Sequence, residues 1–273
     1  MPELPEVQSV VNHFREYVEG QRIQSVKPLN EWNKVFHSIS PTKLNHKLKS
    51  QNISKLWRRG KYIILDLDQG YLAIHLRMTG RLQTKINKTD HLKHFTVLMK
   101  FENGTNLYFK DYRKFGRWYY FETLSKLEAK LGPEPLGSTF TRQFLKEGLQ
   151  RSTGMIKPKL LNQKFIAGIG NIYADESLWT ARIHPMEKCC NISTVKSNRL
   201  HQAIQEILNK AIGHKGTTII NFSPGDEARG NFANYLNVFG KSNEPCPRCK
   251  TLIQKIFLGQ RGTHFCPRCQ KKR

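Results

Sequence analysis

Four cysteines close the chain in a pattern that few folds can satisfy. Cys246-Pro-Arg-Cys249 and Cys266-Pro-Arg-Cys269 are two Cys-x-x-Cys hooks separated by sixteen residues. Four thiolates at this spacing meet the tetrahedral preference of Zn2+, so one structural zinc held by Cys246, Cys249, Cys266 and Cys269 is predicted. The apolar run Leu252, Ile253, Ile256, Phe257, Leu258 suits the hairpin of a zinc ribbon. With all four positions filled by protein, no open coordination site is left for metal catalysis. Cys189 and Cys190 are adjacent in mid-chain and read as unpaired thiols, a usage that fits a reducing cytosol better than a disulfide scaffold.

Charge narrows the class of partner. The chain of 273 residues holds 45 Lys and Arg against 21 Asp and Glu, a formal net charge of +24. Such an excess points to a polyanion, most simply nucleic acid. The last 33 residues alone carry nine Lys or Arg and one acid, Glu244. Against a membrane, no apolar run approaches the ~18–20 residues needed to span a bilayer. The N-terminus carries Glu3 and Glu6 and lacks an apolar h-region, so no secretory signal is expected and a cytoplasmic location is.

Periodicity gives the organisation. Val7, Val10, Val11, Phe14 and Val18 follow helical spacing after Pro5, which suits a first turn, and Gly20 is a plausible stop. From about Arg22 to Phe121 the pattern is mostly strand. Residues 62–67 and 71–76 read as one hairpin through Asp68-Gln69-Gly70, and residues 96–101 and 105–110 as a second turning at Asn103-Gly104. Regular short strands argue for a β-sandwich. Leu131-Gly-Pro-Glu-Pro-Leu-Gly137 breaks the pattern and marks a domain boundary. Beyond it the chain turns helical, with Leu200, Ile204, Ile207, Leu208, Ala211 and Ile212 forming a core stripe over 199–214.

Met1-Pro2-Glu3-Leu4-Pro5-Glu6-Val7 carries chemistry of its own. Removal of Met1 leaves a free secondary amine on Pro2 beside the Glu3 carboxylate. An α-amino group has an unperturbed pKa near ~8, so an appreciable fraction is unprotonated at neutral pH. Attack of such an amine on a sugar C1′ gives an iminium, an electron sink of the covalent-catalysis kind.

This heptad resembles the N-terminus of the formamidopyrimidine-DNA glycosylases, which repair oxidised purines in bacteria. Several further motifs share the resemblance, from Pro2 to the ribbon. It implies Pro2 as nucleophile and Glu3 as acid/base group. Arg58-Arg59-Gly60-Lys61-Tyr62 resembles the family segment whose lysine, here Lys61, contacts DNA beside the damaged nucleotide. His75 and His94 fall at positions that contact phosphate or lesion. Met78 and, in Asp111-Tyr-Arg-Lys-Phe-Gly116, Arg113 and Phe115 match the residues that fill the hole left by an extruded base. Residues 156–176 are similar to the family's helix–two-turns–helix, with Lys157 and Asn171 as its phosphate-binding lysine and asparagine. Arg261, at the ribbon tip, matches the arginine that grips the backbone phosphate. Residues 216–240 resemble the loop that closes over the flipped base.

The implied fold is α+β: an N-terminal helix plus β-sandwich catalytic domain (1–131), a helical DNA-binding domain with the capping loop (132–240) and the zinc ribbon (241–273). The implied activity is a bifunctional glycosylase/AP lyase on duplex DNA holding oxidised purines or abasic sites, working as a monomer. Gln8, Thr96 and Asn162 depart from the family's usual Glu, His and Asp. Two other readings stand beside this one: a related glycosylase for oxidised pyrimidines, and a non-enzymatic zinc-ribbon nucleic-acid binder.

Overall fold

The computed structural model describes residues 1–37, 39–217 and 230–272. These form two compact units, the first of residues 1–127 and 215–231, the second of residues 128–214 and 232–273.

In the first unit, helix α1 (Leu4–Val18) leads into two sheets. Strands β1 (Ile23–Pro28), β7 (Phe95–Phe101), β8 (Asn106–Asp111) and β6 (Gly80–Gln83) form one antiparallel sheet in that spatial order. The other runs β2 (Phe36–His37), β9 (Arg117–Phe121), β5 (Tyr71–His75), β4 (Tyr62–Leu67), β3 (Ile53–Arg59), with only the β2–β9 pair parallel. A short helix α2 (Pro41–Leu48), capped by the Ser40 hydroxyl, connects β2 to β3. Val7, Val10, Val11 and Phe14 of α1 share one core with Ile63, Leu65 and Ile74 of the larger sheet and Val97, Met99 and Phe109 of the smaller. Burial of each such side chain contributes roughly 1.5–3 kcal/mol. That shared core makes the pair of sheets a sandwich and fixes the helix start to a rigid body.

Helix α3 (Ser125–Glu128) ends the first stretch of the first unit, and the second unit contains α4 (Arg142–Gln150), α5 (Ile156–Leu161), α6 (Asn171–Thr180) and α7 (Thr194–Gly213), and the ribbon hairpin β10 (Gln254–Leu258) and β11 (Arg261–Phe265). Helix α7 begins five residues before the apolar stripe does. The Ser193 hydroxyl caps it by accepting the Lys196 N–H at 3.4 Å, and its first turn, whose one apolar residue Val195 is exposed, carries no periodic apolar signal. Helix α6 is buried almost all round, from Tyr173 to Trp179, and so includes the acids Asp175 and Glu176. No helix among the described residues is long and apolar enough to cross a membrane.

Candidate catalytic terminus and nucleic-acid interface

Pro2 and Glu3 are buried at the N-terminal end of α1, and Met1 ahead of them is half exposed. Glu3 is the N-cap. The Glu6 carboxylate accepts the Glu3 N–H at 2.9 Å while the Glu3 carboxylate faces the Glu6 N–H, a reciprocal capping box. The Glu3 carboxylate therefore sits at the positive end of the helix dipole. Glu6 does a second job that the sequence did not reveal. Its other oxygen accepts the Thr217 N–H at 2.8 Å and the Thr217 hydroxyl at 3.0 Å, so it ties the terminus to the root of the segment 216–240. Gly216 (φ 82) allows this approach, because a Cβ there would lie 2.6 Å from the Glu6 oxygen. Residues 218–229, about half of the expected capping loop, lie outside the described residues.

Gln8 holds a defined contact despite its departure from glutamate. Its amide oxygen accepts the Arg58 Nε–H at 3.0 Å, and Arg58 also donates to the Gly60 carbonyl at 3.2 Å. This braces the tight β3–β4 turn, where Gly60 (φ 56) precedes the largely buried Lys61. Tyr62 pairs with His75 across β4 and β5, which brings the Lys61 turn beside the end of β5.

His75 is buried, packed edge-on against Tyr62 at 4.6 Å, and its Nδ1 accepts the Arg77 N–H at 3.0 Å. That bond places the proton on Nε2, leaving the ring a neutral donor. Desolvation first, then the charges of Arg77 and Lys61, hold its pKa down at about 3. An unfolded histidine titrates near ~6.5. The stability that follows from keeping His75 neutral is therefore complete above the unfolded pKa and is lost as pH falls from there toward the folded one. We expect about 2 kcal/mol less stability at pH 5 than at pH 8 from this residue. Urea unfolding of the wild type and His75→Gln across that range checks it: an equal pH slope in both proteins sinks the assignment.

Met78, Arg113 and Phe115 come together although two loops carry them. The Arg113 guanidinium reaches the Met78 sulfur at 2.9 Å and lies 4.7 Å from the Phe115 ring centroid. Met78 and Phe115 are 47% and 46% exposed, so neither is a core residue. Asp111, fully buried, joins the loops: one oxygen accepts from the Thr79 hydroxyl and the Arg113 N–H (3.1 Å), the other from the Gly116 N–H (2.6 Å). Arg77 (φ 53) and Lys114 (φ 55), beside the exposed side chains, are both held in the left-handed region. Such strain costs on the order of 1 kcal/mol each and persists where neighbours over-determine the backbone. The sequence showed Asp111 as one more letter of a motif; only its burial exposes its role as the joint.

His94 is half-buried and packs against Tyr112 at 4.5 Å. Thr96 is buried, with its hydroxyl donating to the Phe109 carbonyl at 3.2 Å, so this position turns inward and supplies no surface contact.

In the second unit the turn between α5 and α6 is built by side chains. Asn162 accepts the Lys164 N–H at 3.0 Å through its amide oxygen, an acceptor role that an aspartate would fill equally. Gln163 donates to the Leu161 and Ile169 carbonyls and accepts the N–H of Gly168 (φ 87) at 2.9 Å. Asn171, at the first turn of α6, donates to the Gly262 carbonyl at 2.9 Å. Glu176 gathers the N–H groups of Asn237, Val238 and Phe239 at 2.8–3.0 Å and so fixes the segment entering the ribbon.

Lys157, which the resemblance implies as a phosphate-binding lysine, lies inside the protein. It is fully buried, paired with Asp175 at 2.6 Å, and donates to the Thr263 hydroxyl at 2.8 Å and the Gly262 carbonyl at 3.2 Å. Two of these contacts are hydrogen bonds to the ribbon hairpin and the third is the ion pair with Asp175.

The four ribbon cysteines converge, their sulfurs all within 4.8 Å of one another. Cys246 and Cys269 are 4.0 Å apart and Cys249 and Cys266 3.4 Å, too long for disulfides. A zinc tetrahedron with Zn–S of ~2.3 Å has S–S edges of about 3.8 Å, which these two distances bracket. The site is a structural zinc centre. Arg248 docks the ribbon by stacking on Trp179 at 4.0 Å, and Gln270 by donating to the Ile183 carbonyl at 2.8 Å. The β10–β11 turn, Gly259-Gln260 with φ of 51 and 61, leaves Arg261 exposed at the tip.

Fold and cysteine cluster together define a helix–two-turns–helix protein with a C-terminal zinc finger. Residues 1–118 match the formamidopyrimidine-DNA glycosylase N-terminal domain, residues 131–223 the H2TH domain of the same glycosylase, and residues 243–272 the zinc finger found in FPG and IleRS. The chain belongs to the formamidopyrimidine-DNA glycosylase family. It is 40% identical to formamidopyrimidine-DNA glycosylase of Protochlamydia amoebophila over the full length of both proteins. Among solved structures it is similar to Lactococcus lactis Fpg in complex with abasic-site DNA (TM-score 0.90, 38% identity, 99% of this chain and 100% of that one). It is also similar to MutM in complex with DNA containing carbocyclic 8-oxo-G (TM-score 0.89, 38% identity, the same coverage).

Proposed function

We propose that this protein is a base-excision repair enzyme, a bifunctional DNA glycosylase/AP lyase that removes 8-oxoguanine and formamidopyrimidines from duplex DNA. The observation that carries the reading is Pro2-Glu3 at a capped helix start in a chain whose relatives are structurally characterised on damaged DNA. The strong positive charge attracts the duplex, with a steep salt dependence. Met78, Arg113 and Phe115 enter the stack as the lesion nucleotide leaves it. A cation–π-coupled Arg113–Phe115 pair is suited to this, because the guanidinium plane stacks while its edge still donates to the orphaned base.

The Pro2 amine, freed by removal of Met1, attacks C1′; the C1′–N bond breaks and the oxidised purine departs. Glu3 protonates the ring oxygen, the sugar opens, and an iminium forms. That cation acidifies the C2′ proton, and β- then δ-elimination releases the strand on both sides of the sugar. Lys61 and neutral His75 hold the backbone beside the damaged nucleotide, His75 through Nε2–H. His94, Asn171 and Arg261 take further phosphates. The zinc, held by Cys246, Cys249, Cys266 and Cys269, shapes the ribbon and takes no part in the chemistry. Regions 1–131, 132–240 and 241–273 divide the work into catalysis, grip with lesion capping, and the finger. A monomer acting on DNA in the bacterial cytoplasm completes the reading.

Incubation of Met1-free, zinc-loaded protein with duplexes bearing 8-oxoguanine opposite cytosine, thymine glycol or no lesion tests it. The expected product is a one-nucleotide gap with phosphate on both sides, formed fastest from 8-oxoguanine. Faster cleavage of thymine glycol turns the reading toward oxidised pyrimidines, and binding without cleavage ends the enzymatic reading.

A further inference from the structure

The contacts of the ribbon tip converge on one buried ion pair. Lys157 donates to the Gly262 carbonyl and the Thr263 hydroxyl, and its partner Asp175 accepts the His264 N–H at 2.9 Å through its other oxygen. Asn171 adds a bond to the same Gly262 carbonyl. Thr263 also donates back to the Arg261 carbonyl at 3.1 Å. Three consecutive residues after Arg261 are thus fastened to α5 and α6, while the Arg261 side chain stays exposed. Both Lys157 and Asp175 are buried, so neither charge is available to a ligand approaching from solvent. A charge pair kept in this position is costly to desolvate, and well-packed apolar residues often serve stability as well or better. What the pair adds, and apolar residues could not, is a set of directional bonds to the hairpin backbone.

We propose that Lys157 and Asp175 are positioning residues that present Arg261 to a DNA backbone phosphate, Lys157 acting through the finger tip and not as a phosphate ligand. This rests on the reading above that Arg261 grips phosphate. A guanidinium must meet a phosphate in a narrow fork geometry, and a tip free to shift by an ångström loses that match.

The test is a double-mutant cycle on binding to a duplex carrying a tetrahydrofuran abasic analogue, read by fluorescence anisotropy from 50 to 300 mM salt. The variants are Arg261→Ala, Thr263→Val, Lys157→Met/Asp175→Asn, and the last two each combined with Arg261→Ala. Zinc content and melting temperature are measured for all. The charge-neutral pair is used because Lys157→Met alone strands a buried carboxylate; Thr263→Val removes one tip bond with little threat to the fold. Loss of one phosphate contact lowers the salt slope by about 0.9. The proposal expects the neutral pair, with zinc retained, to lose that one contact and to resemble Arg261→Ala, about tenfold weaker. The combination with Arg261→Ala should then be no weaker than Arg261→Ala alone. Thr263→Val should lose a fraction of the same affinity, also silent when Arg261 is absent.

Losses that multiply, with the slope falling by a second ~0.9, overturn it in favour of direct phosphate binding by Lys157. Wild-type affinity in the neutral pair also overturns it. If Arg261→Ala itself binds as wild type with an unchanged slope, the phosphate role of Arg261 is what fails, and the positioning role falls with it. Should the neutral pair lose its zinc, Thr263→Val decides: wild-type binding, or a loss independent of Arg261, refutes the proposal.

Discussion

Blocking the amine of Pro2, by retaining Met1 or by placing one glycine ahead of the proline, is expected to abolish strand cleavage and borohydride-trapped adduct on 8-oxoguanine duplex. Loss of a covalent nucleophile leaves no parallel route through the same intermediate, and a fall of roughly 10^3-fold or more in rate corresponds to about 4 kcal/mol of barrier. Binding to an abasic-analogue duplex should survive, because the phosphate contacts proposed above lie elsewhere. Glu3→Gln separates chemistry from structure. The Glu6 carboxylate still accepts the residue-3 N–H, and the glutamine oxygen can still face the Glu6 N–H, so the helix start is largely retained. Cap weakening costs about 0.5–2 kcal/mol and moves the melting temperature. Loss of the acid/base group is expected to slow the single-turnover rate by ~10^2–10^4 at unchanged affinity. Peptide mapping of the trapped complex checks the first expectation: an adduct on a lysine, or wild-type cleavage from a Met1-bearing chain, would mean that Pro2 is not the nucleophile.

Removing the zinc should produce the second large effect, on binding instead of chemistry. Structural zinc in a small ribbon contributes ~10–16 kcal/mol of apparent binding free energy, nearly all of it folding free energy of that ribbon. The hairpin β10–β11 has a small core, Ile253 and Leu258 among its buried residues, while Phe257 is 73% exposed, so the strands cannot hold themselves together without the thiolates. Chelation, or Cys266→Ser, is expected to release one zinc per chain and free the tip that carries Arg261. Duplex affinity should fall by roughly 10^2-fold at moderate salt, through lost phosphate contacts. The sandwich of the first unit, whose core includes no ribbon residue, should keep its thermal transition. Colorimetric metal release paired with anisotropy measures both; a chelated protein that binds DNA undiminished would show that the ribbon is not part of the grip.

Much of this architecture is legible as local pattern. The stripe Val7, Val10, Val11, Phe14, Val18 and the hairpins around residues 68–70 and 103–104 are periodic signals, and each became the expected element. The cysteine hooks are legible because four ligands at fixed spacing serve one ion. The limits are equally local in origin. The first turn of α7 escaped because a hydroxyl cap, not an apolar face, begins it. Gln8 and Asn162 depart from the family's usual Glu and Asp, and each makes a hydrogen bond through its amide oxygen that only the fold reveals.

By itself, the sequence determined the helix start that carries Pro2 and Glu3, the strand and helix segments, the zinc ligands and the electrostatic character of the partner. These depend on spacing, on composition and on residue chemistry that acts at short range. Tertiary structure decided which polar groups are spent inside the protein and which remain for a ligand. It placed Asp111 as the joint of two loops seventy-odd to one hundred and sixteen residues along the chain, Glu6 as the bond between the terminus and Thr217, and Lys157 inside a clasp with Asp175. The physical reason is that the fate of a charge depends on burial and on partners far away in the chain. A lysine in a basic sequence reads as surface until the fold surrounds it with acceptors.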